Sequence, residues 1–210
     1  MSVRGVLLLA AFILACTGTD TSWHSEAGYR WHTLDVTHRG RPGFTLIDSS
    51  SSGLTFVNTV SDSLLVRNRI LAQGAGVCLG DVDGDGLSDV FLARTEGPSR
   101  FYRNLGGFRF DDITQRAGVA TADRHSTGCT LADVNGDGHL DLILVALGGP
   151  NALFLNDGGG RFSEQGADAG LTSSAGSTTI AVADVDGDGW LDMYITNYHK
   201  SLLYRNNGNG

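Results

Sequence analysis

"DVDGDGLSD" (residues 81–89) sets four aspartates at positions 1, 3, 5 and 9 of nine residues, with almost no apolar surface between them. Neighbouring carboxylates repel one another, so this much local charge needs something to offset it. The stretch recurs as "DVNGDGHLD" (133–141) and "DVDGDGWLD" (184–192). The copies start 52 and 51 residues apart, which marks a repeated structural unit rather than one solvated turn.

Other residues keep the same phase. Asn104, Asn156 and Asn206 follow the first aspartate of their loops by 23, 23 and 22 residues, Phe110 and Phe162 by 29, and Gly118 and Gly170 by 37. A short run precedes each loop ("AGVCLG", "GCTLA", "TIAVA"), and a continuous apolar run follows it ("VFLA", "LILVA", "MYIT"). Unbroken apolar runs suit strands covered on both faces. A third run ("RFYRN", "ALFLN", "LLYRN") leads into a glycine-rich turn of hairpin type, and a fourth ("FRFDDIT", "RFSEQ") follows. Four short antiparallel strands at this period predict an all-β chain of propeller blades, at about 74–120, 128–171 and 178–210. "GFTLID" (43–48) has the phase of a blade's outer strand, with Phe44 and Gly53 placed like Phe110 and Gly118. The chain therefore reads as two full blades, most of a third and a lone strand, the N-terminal part of a longer propeller.

Aspartates on alternate positions aim at one point, and the glycine at position 6 permits the sharp turn between them. Hard oxygen donors of this number select Ca²⁺. The expected ligands are Asp81, Asp83, Asp85 and Asp89; Asp133, Asn135, Asp137 and Asp141; and Asp184, Asp186, Asp188 and Asp192. Backbone carbonyls of Leu87, His139 and Trp190 at position 7 complete the three sets. An EF-hand is excluded, because position 12 is Leu92, Leu144 or Ile195 instead of glutamate, and strands flank the loops.

DxDxDGxxD between two strands, repeated with "LYRNNGxG", resembles the FG-GAP/VCBS repeats and is similar to the calcium-binding blades of integrin α-subunit propellers. The longer wording, "GDVDGDGLSDVF" with "YRNLGGFRFDDIT" and "RAG", looks like the cartilage-acidic-protein type, which adds a C-terminal ASPIC/UnbV domain. The resemblance covers about residues 43–210, with no counterpart of that domain within them. It implies calcium-bearing propeller blades and leaves the ligand open.

The net charge of −8 follows from the loops, which hold 11 aspartates; without them 12 acids face 15 bases, a net of +3. A nucleic-acid partner, which needs a basic face, is excluded. Met1 to Arg4 and the 11-residue apolar run "GVLLLAAFILA" read as an export signal too short to span a bilayer. The run ends at Cys16 in a lipobox-like context, so Cys16 is the expected lipidation site. Plain secretion and a buried N-terminal helix are the alternatives. Residues 17–42 read as a polar tether. Cys78 and Cys129 precede their loops by three and four residues, an offset that puts them on opposite strand faces. This predicts two small buried hydrophobes and no disulfide.

No catalytic set emerges. "GAGVCLG" (74–80) opens an acidic hairpin and no helix, so it is no phosphate loop. His125 beside Ser126 and Thr127 lacks a nucleophile elbow and reads as a turn residue. Tyr102, Phe154 and Tyr204 recur in phase as core. Trp190 stands where the other loops have Leu87 and His139, and is the one candidate for a sugar-stacking aromatic. The expectation is an exported, calcium-binding adhesion or ligand-binding module for a protein or glycan, and not an enzyme. The alternatives are a lectin-like glycan binder and the propeller portion of a larger extracellular enzyme.

Overall fold

Every residue of the strand Asp141–Ala146 is buried. Side chains alternate across a strand, so this strand must be covered on both faces. Leu142 and Leu144 enter an apolar cluster with Phe91, Phe101 and Ile113 of the first repeat. Ile143 enters a second cluster with Ile180, Val182 and Met193 of the third. The middle repeat is thus a sheet pressed between two others, the stacking of propeller blades.

The computed structural model describes residues 22–27, 29–31, 33, 43–121 and 124–208. The export segment, Cys16 and most of the expected tether lie outside the described residues. The chain divides into two units, Met1–Thr45 and Leu46–Gly210. In the first, β1 (His24–Glu26) and β2 (Tyr29–Trp31) form an antiparallel hairpin where only a tether was expected. Cross-strand aromatic contact accounts for it: the His24 and Trp31 rings stack with centroids 4.3 Å apart.

The second unit begins with short helices, α1 (Ser49–Ser52), α2 (Asp62–Arg67) and a 3₁₀ turn at Arg69–Gln73. Three sheets follow. β3 (Val77–Gly80), β4 (Asp89–Leu92), β5 (Arg100–Asn104) and β6 (Phe110–Asp112) form the first, antiparallel and in chain order. β7 (Ser126–Ala132), β8 (Asp141–Ala146), β9 (Ala152–Asn156) and β10 (Phe162–Glu164) form the second. β11 (Ser177–Ala183), β12 (Asp192–Asn197) and β13 (Leu202–Tyr204) form the third, which is three-stranded among the described residues. The protein is an all-β partial propeller of antiparallel blades. The aromatic core between the first two blades is edge-to-face, with Phe101 centred 5.7 Å from Phe91 and 5.6 Å from Phe162. Tyr102 and Phe154 are buried, and Tyr204 packs on the second cluster. On the far face of the third blade, Tyr194 and Leu203 remain exposed.

Residues 43–48 form no strand, contrary to their phase. An outer strand needs a third strand beside it, and no described residue upstream supplies one. Asp48 instead caps α1, its carboxylate accepting the Ser50 N–H at 2.8 Å. The phase still has a physical basis further on. A Cβ on Gly53 would stand 2.6 Å from the Phe110 carbonyl oxygen, and one on Gly118 would stand 2.7 Å from that of Phe162. Both glycines also hold φ of 78°. Each lets the turn after one repeat seat the outer strand of the next.

Candidate metal centres

Each acidic loop joins the first two strands of its blade. The aspartate at position 1 ties the loop to itself. Asp81 Oδ1 accepts the N–H groups of Gly84 (2.9 Å) and Asp85 (3.1 Å), and Oδ2 accepts that of Gly86 (2.8 Å). Asp133 and Asp184 repeat the three bonds with Gly136, Asp137 and Gly138, and with Gly187, Asp188 and Gly189. At position 6 the glycines take φ of 85°, 89° and 91°, which the turn requires.

Positions 3 and 5 keep one oxygen on the backbone and turn the other outward. Asp83 Oδ1 accepts from the Asp85 N–H, and Asp85 Oδ1 from the Leu87 N–H at 2.9 Å. At position 7 the N–H closes the loop in all three copies. The side chain there covers the hairpin glycine of its own blade, as Cβ atoms on Gly158 and Gly208 would strike His139 and Trp190. Trp190 also lies against Gly136 of the neighbouring loop and is half-buried, so it is a wedge between blades and no open stacking platform.

Position 9 is the most buried. Asp89 and Asp141 have no exposed surface, and Asp192 little. Asp89 Oδ2 accepts the Val82 N–H (3.1 Å), and Oδ1 the Asn104 N–H (2.8 Å), so one carboxylate fastens the loop to the third strand. Asp141 and Asp192 do the same with Val134 and Asn156, and with Val185 and Asn206. Burial pushes the Asp89 and Asp141 carboxyls above the ordinary range, against the pull of these N–H donors, and neighbouring carboxylates add to the rise.

Two arginines complete the loops. Arg103 Nε stands 2.6 Å from Asp83 Oδ2, and its Nη2 3.2 Å from Asp85 Oδ2. Arg205 repeats this on Asp186 (2.6 Å) and Asp188 (3.0 Å), and holds the Asp186 carboxyl low. The second loop has Leu155 at this place and Asn135 at position 3, whose amide donates to Asp137 Oδ2 at 2.9 Å. Where one acid is missing, one base is missing too. Each loop with its arginine position therefore carries the same formal charge of −3.

Ligand oxygens of Asp81, Asp83 and Asp89 lie within 4.8 Å of one another, as do those of Asp184, Asp186 and Asp188. These hard oxygen donors, with charge left over after the arginines, fit a divalent cation. Two of the phased asparagines, whose role the spacing alone did not reveal, join the blades. Asn156 Nδ2 donates to the Val82 carbonyl of the first loop, and Asn206 Nδ2 to the Val134 carbonyl of the second, both at 2.8 Å. Elsewhere, His125 Nδ1 meets the Thr95 carbonyl of the first blade at 2.7 Å, and Ser126 is buried.

Residues 81–144 and 133–195 match the family model described as FG-GAP-like repeat, each segment spanning two acidic loops. The chain belongs to the FG-GAP-like repeat family. Among FG-GAP-like relatives, it is 33% identical over 151 residues to cartilage acidic protein 1 of Xenopus tropicalis, covering 67% of this chain and 23% of that protein. The Mus musculus cartilage acidic protein 1 is 34% identical over 137 residues, covering 63% and 21%. Integrin alpha-4 of Xenopus laevis is 28% identical over 148 residues, covering 58% and 14%. The chain thus spans less than a quarter of the length of each of these relatives.

Proposed function

We propose that this chain is the calcium-binding propeller portion of an exported adhesion or ligand-binding module, and that its role is binding and not catalysis. The equal residual charge of the three loops carries the reading. Loops that lose an acid and a base together are held to one electrostatic requirement, and a divalent cation meets it. Asp81, Asp83, Asp85 and Asp89 and their repeats would hold Ca²⁺, with the position 7 carbonyls. The ion supplies charge neutralisation and fixes the loop shape. The outward oxygens of Asp83 and Asp85 now face Arg103, so the guanidinium shares or yields its place on loading.

Without an EF-hand's bidentate glutamate, affinity falls on the order of 10⁻⁴ to 10⁻³ M, which suits an extracellular setting. The likeness to cartilage acidic protein 1 and integrin alpha-4 supports that setting, secreted or anchored through Cys16. The partner is a protein or glycan met by loops at one end of the scaffold. Calorimetry of chelator-treated protein with CaCl₂ tests the reading. Binding at millimolar Ca²⁺ that loses the first-loop site on Asp83→Ala is expected. No heat and no rise in melting temperature at that concentration overturns it.

A further inference from the structure

The two cysteines of the propeller meet. Cys78 is buried in β3 and Cys129 half-buried in β7, and both belong to the apolar cluster between the first and second blades. Their opposite phase, which argued against contact, is what brings them together. Blades stack face to face, so opposite faces of equivalent strands look at each other across the interface. The backbones come unusually close at this edge. Gly76 N–H bonds the Thr127 carbonyl at 2.9 Å, and a Cβ on Gly76 would stand 2.9 Å from Gly128 Cα and 3.3 Å from Cys129 N. Only a residue without Cβ allows that approach, and it sets β3 against β7 with both thiols in one apolar cluster.

We propose that Cys78 and Cys129 are a cross-blade disulfide site, closed by exchange with a small disulfide that enters through the cavity at the inner strands. That cavity is about 380 Å³ and is lined by Gly76, Gly128 and Cys129. Cys129 is the residue that an entering oxidant meets. Its Sγ loses a proton to water and attacks one sulfur of the oxidant, forming a mixed disulfide and releasing one thiolate. Cys78 Sγ then gives up its proton and attacks Cys129 Sγ, releasing the second thiolate. Two protein thiols are oxidised, and one disulfide is reduced to two thiols. The neighbouring Cys129 thiol and burial hold the Cys78 thiol high, so Cys129, which lines the cavity, attacks first. The bond ties together residues 51 apart in sequence, a long loop whose closure restricts the unfolded chain. It locks the blade interface independently of any metal.

The test uses the full chain carrying Cys16→Ser, incubated folded with glutathione disulfide and excess chelator. Both remaining thiols should lose reactivity toward an alkylating agent, and the mass should fall by two hydrogens. Non-reducing peptide mapping should show the Cys78 and Cys129 peptides joined. The melting temperature should rise by roughly 10 °C, and Cys129→Ala and Cys78→Ala should each abolish the rise. Persistence of two alkylatable thiols, arrest as a glutathione adduct, or bonding between two chains overturns the proposal. The first of these outcomes leaves the pair as packed thiols only. None of them bears on calcium binding, which is absent from the assay.

Discussion

Arg103 lies across Asp83 in the first loop, Nε to Oδ2 at 2.6 Å, and Arg205 lies across Asp186 at the same distance in the third. The second loop drops both partners, with Leu155 and Asn135 in their places. The arginine is a resident cation that offsets part of the loop's repulsion before any metal arrives. Replacing it with the second loop's own residue, Arg103→Leu, leaves four carboxylates without it. The ion pair is partly exposed, so the metal-free protein should lose only about 0–1 kcal/mol, read from urea melts in chelator. Calcium affinity at that loop should rise several-fold by calorimetry. Adding Asp83→Asn copies the second loop's charge and should bring the affinity back down. An affinity that falls on Arg103→Leu would mean that the arginine helps to hold the ion.

Asn156 should matter more to stability than Asn104. Its amide reaches the Val82 carbonyl of the preceding blade as well as Leu140 of its own, and it is buried. Asn104 Nδ2 donates to Ser88 in its own loop. Asn156→Ala leaves a buried carbonyl unpartnered and should cost about 1–3 kcal/mol. Asn104→Ala should cost visibly less. Equal costs from denaturant unfolding of the two variants would deny the cross-blade bond its role.

The repeat made most of this legible. Offsets placed the strands, the loops and the glycine at Gly118, because a fixed period leaves little freedom in the fold. What the offsets could not show was contact between copies. Cys78 and Cys129 are free thiols packed in one apolar cluster, as their spacing predicts, but that spacing does not show that opposite faces of equivalent strands meet in stacked blades. Trp190 carried no signal of its wedge position, because the glycines it rests on, Gly136 and Gly208, have other reasons to be glycine. Arg103 and Arg205 share a phase with Leu155, and comparing the three copies position by position for charge would have found them. Residues 43–48 have the right phase for a strand but find no strand to pair with among the described residues, and pairing is a tertiary fact.

The calcium effect should depend on pH in a definite direction. Burial, with help from neighbouring carboxylates, raises the Asp89 and Asp141 carboxyls. An acid whose folded pKa exceeds its unfolded value favours the metal-free fold below the unfolded value. That contribution is lost as pH rises through the folded value. A cation needs the ionised form. The gap in melting temperature between calcium-loaded and chelated protein should therefore widen from roughly pH 4 to pH 7. A gap that stays constant across that range would show that the buried carboxylates are not linked to the ion.

Gly118 and Gly170 offer a matched pair, since they occupy the same phase and hold φ of 78° and 80°. The backbone strain of an added Cβ is therefore equal at both. Their surroundings differ. At Gly118 the Cβ would press to 2.7 Å from the Phe162 carbonyl oxygen, which is backbone and cannot rotate away, while at Gly170 no atom lies within 4 Å. Gly170→Ala should cost only the left-handed conformation, about 1–2 kcal/mol. Gly118→Ala adds a displacement of β10, which carries Phe162 against Phe101 in the first core cluster. Its cost should exceed that of Gly170→Ala by 1 kcal/mol or more, on the order of other overpacking changes. The difference between the two variants in chelator isolates the seating of an outer strand on the preceding repeat. If both unfold at the same denaturant concentration, that seating contributes nothing to holding the blades together.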